Sequence, residues 1–265
     1  MHSLIRLLIA MIYITTHLEQ TGGQIWTRMP RLCDQIAARD DQVWCVTDDK
    51  NLWRWVWGLH DWSWVDAEKY QNKMQNVGVG FDNSVWVVTV DGEVRRMVGQ
   101  NWTVMGTIAT FNGSKLVQIS PLDQYEAMAV DSNDTIWHYG NDSWREFAGY
   151  AQWVTVGKDA SVWCVRRNQE VLRWNDTDWE VMPKVDMEMT RIDAYDNSRI
   201  VATDAWKRLY LYINAGERWL GVGTPEWPPG PKWKLLQQPY PNCKQAVASK
   251  LNIWCLSDNG FVNKA

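Results

Sequence analysis

The chain has 265 residues, 46% of them hydrophobic, and a formal net charge of −4. That is ample material for a large core, and the acidic balance excludes the concentrated basic patch that a nucleic-acid surface needs. No block of like charges forms an electrostatic tail. Tryptophan is the outlier: the chain holds 20, and their spacing says more than their number.

From the amino terminus, His2 and Arg6 precede an apolar stretch over residues 7–14, and polar residues follow to 23. The stretch is too short for a membrane span of about 20 residues. Residues 1–23 are therefore expected to be a secretion signal, and 24–265 the mature chain. No later segment is apolar enough for membrane insertion. Asn-x-Ser/Thr sequons at Asn101, Asn112, Asn133, Asn141 and Asn175 agree with export and are the expected glycosylation sites. Asn101, Asn141 and Asn175 are expected on one face of the molecule, Asn112 and Asn133 on the other. Cys33 precedes Cys45 by 12 residues, and Cys243 precedes Cys255 by 12. This spacing allows two local disulfides, or a bridge from Cys33 to Cys243 joining the first and last repeats. Either arrangement leaves Cys164 unpaired.

Six short segments, 25–30, 62–65, 102–106, 144–147, 179–183 and 219–223, each carry a Trp and a strand-like run. The tryptophans Trp26, Trp62, Trp102, Trp144, Trp179 and Trp219 recur every 35–42 residues, the spacing of four strands in one propeller blade. Between them lie second strands such as Val43-Trp44-Cys45-Val46 and Val162-Trp163-Cys164-Val165, and third strands such as Leu52-Trp53-Arg54-Trp55 and Val171-Leu172-Arg173-Trp174. Asp, Asn and Gly clusters punctuate them. No stretch of the mature chain keeps a helical period, so the fold is expected to be all-β. The sixth repeat stops after its third strand near Phe261, while residues 24–30 form an unattached fourth strand. Pairing the two ends completes a six-bladed β-propeller and removes its exposed sheet edges.

The segments Asn76-Val77-Gly78-Val79-Gly80-Phe81-Asp82-Asn83-Ser84-Val85-Trp86 and Trp153-Val154-Thr155-Val156-Gly157-Lys158-Asp159-Ala160-Ser161-Val162-Trp163 resemble the V-x-V-G-x-D-G-x-V-W core of tectonin repeats. Leu52-Trp53-Arg54 and Val171-Leu172-Arg173-Trp174 resemble that family's I-Y-R element. Repeats three and five depart from it, with Met128 and Val201 at or beside the expected Trp. The resemblance covers essentially the whole mature chain. It implies a lectin that recognises microbial surface saccharides, such as lipopolysaccharide, in innate defence or in eggs.

Repeated Trp in the second and fourth strands is read as mortar between blades. The aromatics beyond that pattern, with the arginines beside them, are the candidate ligand-binding set: Trp53, Arg54, Trp55, Trp64, Arg96, Trp137, Arg173 and Trp174. Sugar rings stack their C–H faces on aromatics while placed donors and acceptors take the hydroxyls. Arg54, Arg96 and Arg173 share one repeat position, with His138 in the third repeat. They suit hydroxyls or phosphates, or an ion pair between blades with Asp82 or Asp159. The proline-rich insertion at 224–232 around Trp227 reads as a partner-binding loop or a stiff connector. No H-E-x-x-H or paired C-x-x-C spacing exists, and Gly78-Val79-Gly80 lacks the third glycine of a dinucleotide loop. Neither enzyme chemistry nor a cofactor is expected. Expected partners are glycans or bacterial polysaccharides, including those of glycoproteins. The alternative is a protein-binding propeller of an egg coat or extracellular matrix.

Overall fold

The computed structural model describes residues 27–65, 73–99, 101–106, 108, 113–182, 188–213, 232–236 and 242–265. Its strands form six four-stranded antiparallel sheets arranged as propeller blades. The first strand, β1 (Thr27–Leu32), belongs to the last blade. Blade one is β2 (Gln35–Arg39), β3 (Gln42–Val46), β4 (Leu52–Val56) and β5 (Asp61–Trp64). Blade two is β6 (Met74–Val79), β7 (Val85–Thr89), β8 (Val94–Val98) and β9 (Asn101–Val104). Blade three is β10 (Leu116–Pro121), β11 (Ala127–Asp131), β12 (Thr135–Gly140) and β13 (Ser143–Tyr150). Blade four is β14 (Trp153–Val156), β15 (Val162–Val165), β16 (Val171–Trp174) and β17 (Trp179–Val181). Blade five is β18 (Met189–Asp196), β19 (Arg199–Asp204), β20 (Leu209–Ile213) and β21 (Lys232–Leu235). Blade six is β22 (Cys243–Ala248), β23 (Ile253–Ser257), β24 (Phe261–Lys264) and, returning to the start of the chain, β1.

The second strands explain the architecture. β7, β11, β15, β19 and β23 are buried at every residue. A sheet covered on both faces needs continuous apolar runs instead of alternation, and each of these sheets lies between two neighbours. Trp44, Trp86, Trp163 and Trp254, at one repeat position, are at most 1% exposed. Each first strand contacts the next, and β22 contacts β2, so the six inner strands surround a central channel.

The turn from second to third strand is the same in every blade. Lys50, Gly92, Asp134, Gln169, Lys207 and Gly260 all sit at φ between 64° and 84°. Each donates its N–H to the carbonyl three residues back, the geometry of a type I turn followed by a left-handed residue.

The V-G-x-D segments have a steric cause. A Cβ on Gly80 would lie 2.8 Å from Asp82 Oδ1 and 3.0 Å from the Asp123 Cα of the next blade. On Gly157 it would lie 2.9 Å from Asp159 Oδ1 and 3.0 Å from the Asp196 Cα. The missing side chain lets each aspartate fold over its own turn and reach the neighbour. Asp82 accepts the N–H groups of Ser84 and Gln124 at 3.0 and 2.9 Å. Asp159 accepts those of Ser161 and Asn197 at 3.2 and 2.9 Å. Burial works to raise the Asp159 carboxyl, yet the Ser161 hydroxyl and these amides together hold it below the usual range. In the same turn Ala160 has φ 62°, which costs an alanine about 1–2 kcal/mol. Ala160→Gly is expected to raise the thermal midpoint by about 1–4 °C, part of the gain being offset by the freer unfolded chain. Gly157→Ala is expected to lower it, and calorimetry of the pair checks both signs.

The ring closes through the expected pairing of chain ends. β1 pairs antiparallel with β24, Thr27 opposite Lys264 and Met29 opposite Val262. The Cys33 N–H donates to the Gly260 carbonyl at 2.6 Å. The disulfides are the two local ones, Cys33–Cys45 and Cys243–Cys255, with Cα atoms 5.8 and 5.6 Å apart. They tie the link before β2 to β3 in blade one and β22 to β23 in blade six, the two blades that meet at the closure. Cys164 is unpaired and buried, and burial pushes its thiol up to about 12.

One strand differs from the sequence reading. The fourth strand of blade five is Lys232–Leu235, with Trp233 opposite Tyr212, and not the segment at 219–223. Trp spacing favoured Trp219 because it follows β20 closely, but the proline-bearing insertion precedes the fourth strand instead of following it. Trp26, Trp219, Trp227 and Asn112 lie outside the described residues, as does the expected signal segment.

Candidate functional site

Position by position, the inner strands link the blades through side-chain amides. Gln35 Nε2 donates to the Val77 carbonyl and its Oε1 accepts the Val77 N–H, both at 2.9 Å. Gln118 makes the same pair of bonds with Val154, at 2.9 and 3.2 Å. Gln245 does so with Ile36, at 2.8 and 3.1 Å. Asn76 Oδ1 accepts the Ile119 N–H at 3.0 Å. In blades four and five this position holds Trp153 and Arg191, and the Arg191 guanidinium lies 4.9 Å from the Trp153 ring centroid.

Two residues further along, Ser120, Thr155 and Asp193 accept the N–H groups of Val156, Ala194 and Ala248 at 3.1, 3.2 and 2.8 Å. Asp193 also receives a forked pair of bonds from Arg39 of blade one, at 2.9 and 3.0 Å, across the channel. Phe81 of blade two meets Tyr195 of blade five edge-on, with ring centroids 5.5 Å apart. These contacts close one end of the channel. What remains is a cavity of about 30 Å³ among Gln35, Gln118, Trp153, Asp193 and Gln245, room for about one or two waters.

Most aromatics singled out from the sequence fill the seams between blades. Trp86, Tyr139 and Trp144 stack edge-to-face at 5.3 and 5.2 Å, and Trp163, Tyr212 and Trp233 at 5.4 and 5.2 Å. Trp174 meets Trp179 at 5.4 Å and Phe147 at 4.9 Å. Trp55 is buried, 5.5 Å from Trp62 and 6.0 Å from Trp57. Trp55 and Trp174 are thus held in seams, as part of the mortar.

The arginines are placed by the same repeat. Arg54, Arg96 and Arg173 lie 5.9, 5.6 and 5.8 Å from the rings of Trp44, Trp86 and Trp163, within cation–π range. Lys264 plays this part in blade six, 5.4 Å from Trp254. The expected ion pairs with Asp82 and Asp159 do not form, because both carboxylates are turned onto backbone amides. Arg96 instead donates to the Gln124 carbonyl of blade three.

Blades three and five, which lack the second-strand Trp, also lack the arginine: Met128 pairs with His138, and Val201 with Leu211. Both blades carry an aspartate in the second turn instead. Asp131 accepts the Trp137 indole N–H at 3.1 Å, and Asp204 the Tyr210 hydroxyl at 3.1 Å. In these two blades a carboxylate of the turn holds an aromatic of the third strand.

The seam between blades six and one differs. Trp53 is half-buried, and the Arg31 guanidinium of β1 stacks 3.3 Å from its ring centroid. Trp64 sits opposite Trp53 on β5 and is 40% exposed. Arg54, the next residue on β4, is exposed but points to the other face of the blade, over Trp44. Trp53, Trp64 and Arg31 form a rim in which aromatic faces and a cation lie together. Arg31, supplied by β1, was not singled out from the sequence, because its partner is set by ring closure.

The glycine-aspartate turn, the tryptophan-arginine pairing and the ring of six blades occur together in one chain, and residues 115–227 match the Tectonin domain. That segment is a stretch of Tectonin domain within a six-bladed propeller. By sequence, none of the curated proteins matches the chain. Among solved structures, Prp20p from Saccharomyces cerevisiae superposes on this propeller with a TM-score of 0.62 at 12% identity, over 86% of this chain and 70% of that one. YCF48 from Cyanidioschyzon merolae gives 0.58 at 12% identity, over 90% and 98%. Virginiamycin B lyase from Staphylococcus aureus gives 0.58 at 12% identity, over 86% and 78%. At such identities these likenesses show the fold alone. Among the described residues of the propeller no three His, Cys, Asp or Glu side chains gather to hold a metal ion, and no helix is long and apolar enough to cross a membrane.

Proposed function

We propose that this propeller is a secreted, non-catalytic lectin whose principal glycan site is the rim at the seam of blades six and one. The supporting observation is the shelf of Trp53 and Trp64, with Arg31 beside it: apolar ring faces for sugar C–H groups and a cationic donor for hydroxyls. The resemblance to tectonin lectins favours microbial surface saccharides. Two disulfides are compatible with an extracellular protein. Equivalent seams are occupied by their own stacks, so fewer sites than blades are expected, with Trp137 and Arg173 as lesser contributors. Weak sites on one rigid ring would gain by avidity on a polyvalent surface.

The test is a glycan and bacterial-polysaccharide array with the mature protein. Trp64→Ala is the informative variant, since Trp64 reaches solvent and its loss leaves the seam intact. Selective binding that falls at least tenfold in Trp64→Ala supports the reading. Binding unchanged in that variant moves the site away from this rim, and a blank array rejects glycan recognition for the sugars printed.

A second reading is a protein-binding propeller, and one observation favours it. Turns between first and second strands share a face of the disc with turns between third and fourth strands. Leu59 and Leu251, in such turns of the adjacent blades one and six, are 73% and 79% exposed. The sequons Asn101, Asn141 and Asn175 lie in or beside third-to-fourth turns of blades two, three and four, so glycans there would leave the Leu59–Leu251 half of that face open.

A further inference from the structure

We infer that the mouth of the central channel, opposite the end closed by Arg39 and Asp193, is a binding site for a small oxyanion held by Arg191. This goes beyond the rim assigned to neutral sugars and does not depend on it. Arg191 projects from the inner strand β18, with Trp153 of blade four against its guanidinium at 4.9 Å. One of its amino groups donates to Gln245 Oε1 of blade six at 3.2 Å. Among the described residues no carboxylate lies within 4.0 Å of it, although every other ion pair of the channel region is formed.

The charges around the mouth are unbalanced. Lys50 and Lys244 both pair with Asp34, at 2.9 and 3.3 Å, so three cations share one carboxylate. Asp193, two residues beyond Arg191 on the same strand, is neutralised by the forked bonds from Arg39. Apart from Gln245, the side-chain amides of the wall do not compete for the cation, because those of Gln35 and Gln118 are spent on backbone groups of the next blade. Burial pushes the Arg191 guanidinium below its usual range, opposed by the charge of Asp34. A desolvated cation of this kind gains from an anion that a hydrated surface arginine would not hold.

The geometry fits a group of two or three oxygens. A guanidinium carries five N–H donors in a planar fork, and one of them is committed to Gln245. The remaining edge suits a carboxylate or phosphate, while the Trp153 ring lies against one side of the guanidinium. No chemistry is performed; the site holds charge.

The experiment is titration calorimetry of the mature protein with inorganic phosphate, and separately with acetate, in chloride buffer of constant ionic strength. Saturable phosphate binding in the wild type, weakened at least tenfold in Arg191→Gln, is the expected result. A response to acetate as well would place any oxyanion there; phosphate alone would restrict the site to tetrahedral ions. Should Arg191→Gln not fold, Arg191→Lys keeps the charge and loses the fork, and its affinity is expected to fall at least threefold. The inference is overturned if the wild type shows no saturable heat with either ion. It is equally overturned if either variant binds as the wild type does, since the anion would then sit on Lys50 or Lys244.

Discussion

A chain that begins at Cys33, without β1, is expected to lose its monomeric folded state. Blade six would keep three strands, and β24 would present an unpaired edge to solvent, a template for pairing with other chains. The loss goes beyond hydrogen bonds. Met29 is buried at 4% exposure among Trp55, Trp62 and Trp254, and the seam that carries the Trp53 rim would open. Met29→Ala alone is expected to cost about 2–5 kcal/mol, which is roughly 5–15 °C in the thermal midpoint at this size. Size-exclusion chromatography and thermal unfolding measure both. A shortened chain that stays monomeric and melts where the full chain does would show that the ring holds without its clasp.

The second large effect is expected at Arg39 and Asp193. The pair joins blade one to blade five across the channel, with side chains only 6% and 14% exposed. Removing one partner leaves a buried charge uncompensated, which costs about 3–5 kcal/mol. Asp193→Ala should be the worse of the two single changes. It strands Arg39 and also frees the Thr155 hydroxyl and the Ala248 N–H, which Asp193 accepts at 3.1 and 2.8 Å. Arg39→Met leaves those two donors in place to solvate the carboxylate. The double variant Arg39→Met, Asp193→Ala is expected to recover part of the loss, since no charge then remains buried. A double-mutant cycle by denaturant unfolding gives the coupling. Additive losses would mean that the two residues act separately, and that the channel is wet enough to screen them.

Both effects arise where the repeat is broken, and that is where reading the sequence and seeing the structure part company. The position of Arg39 belongs to the glycine of the V-G-x-D segment in blades two and four, occupied there by Gly80 and Gly157. In blade five the same position is Tyr195. As sequence these are defects in a motif. In the ring they face one channel, where a cation, a carboxylate and two aromatic rings close one end. Likewise, Met128 and Val201 were legible as departures from the tryptophan pattern. That Asp131 and Asp204 hold Trp137 and Tyr210 in those blades follows only when the second turn is folded over the third strand.

The candidate site was legible in part. The density of aromatics from Trp53 to Trp64 pointed to the blade that carries the proposed rim. It did not separate Trp55, which faces Trp62 and Trp57 in the seam, from Trp64, which reaches solvent: register assigns faces along one blade, and exposure depends on the neighbouring one. Arg31 was invisible for a different reason, since it lies more than twenty residues before Trp53 in sequence and arrives there as part of blade six.

What the sequence determined by itself was the repeat: period, strand order, turn chemistry and the matched fragments at the two chain ends. These are local properties, set by side-chain alternation, by left-handed turn positions and by the reach of one aspartate over one glycine. The tertiary structure decided what only the closed ring brings together. It chose local disulfides over a bridge between the ends, placed the fourth strand of blade five after the insertion at Lys232–Leu235, and turned Asp82 and Asp159 onto backbone instead of arginine. It also left Arg191 without a carboxylate partner among the described residues. The physical reason is common to all of these. Each depends on a distance between blades, and a repeat that specifies every blade nearly alike does not specify where one blade departs to fit its neighbour.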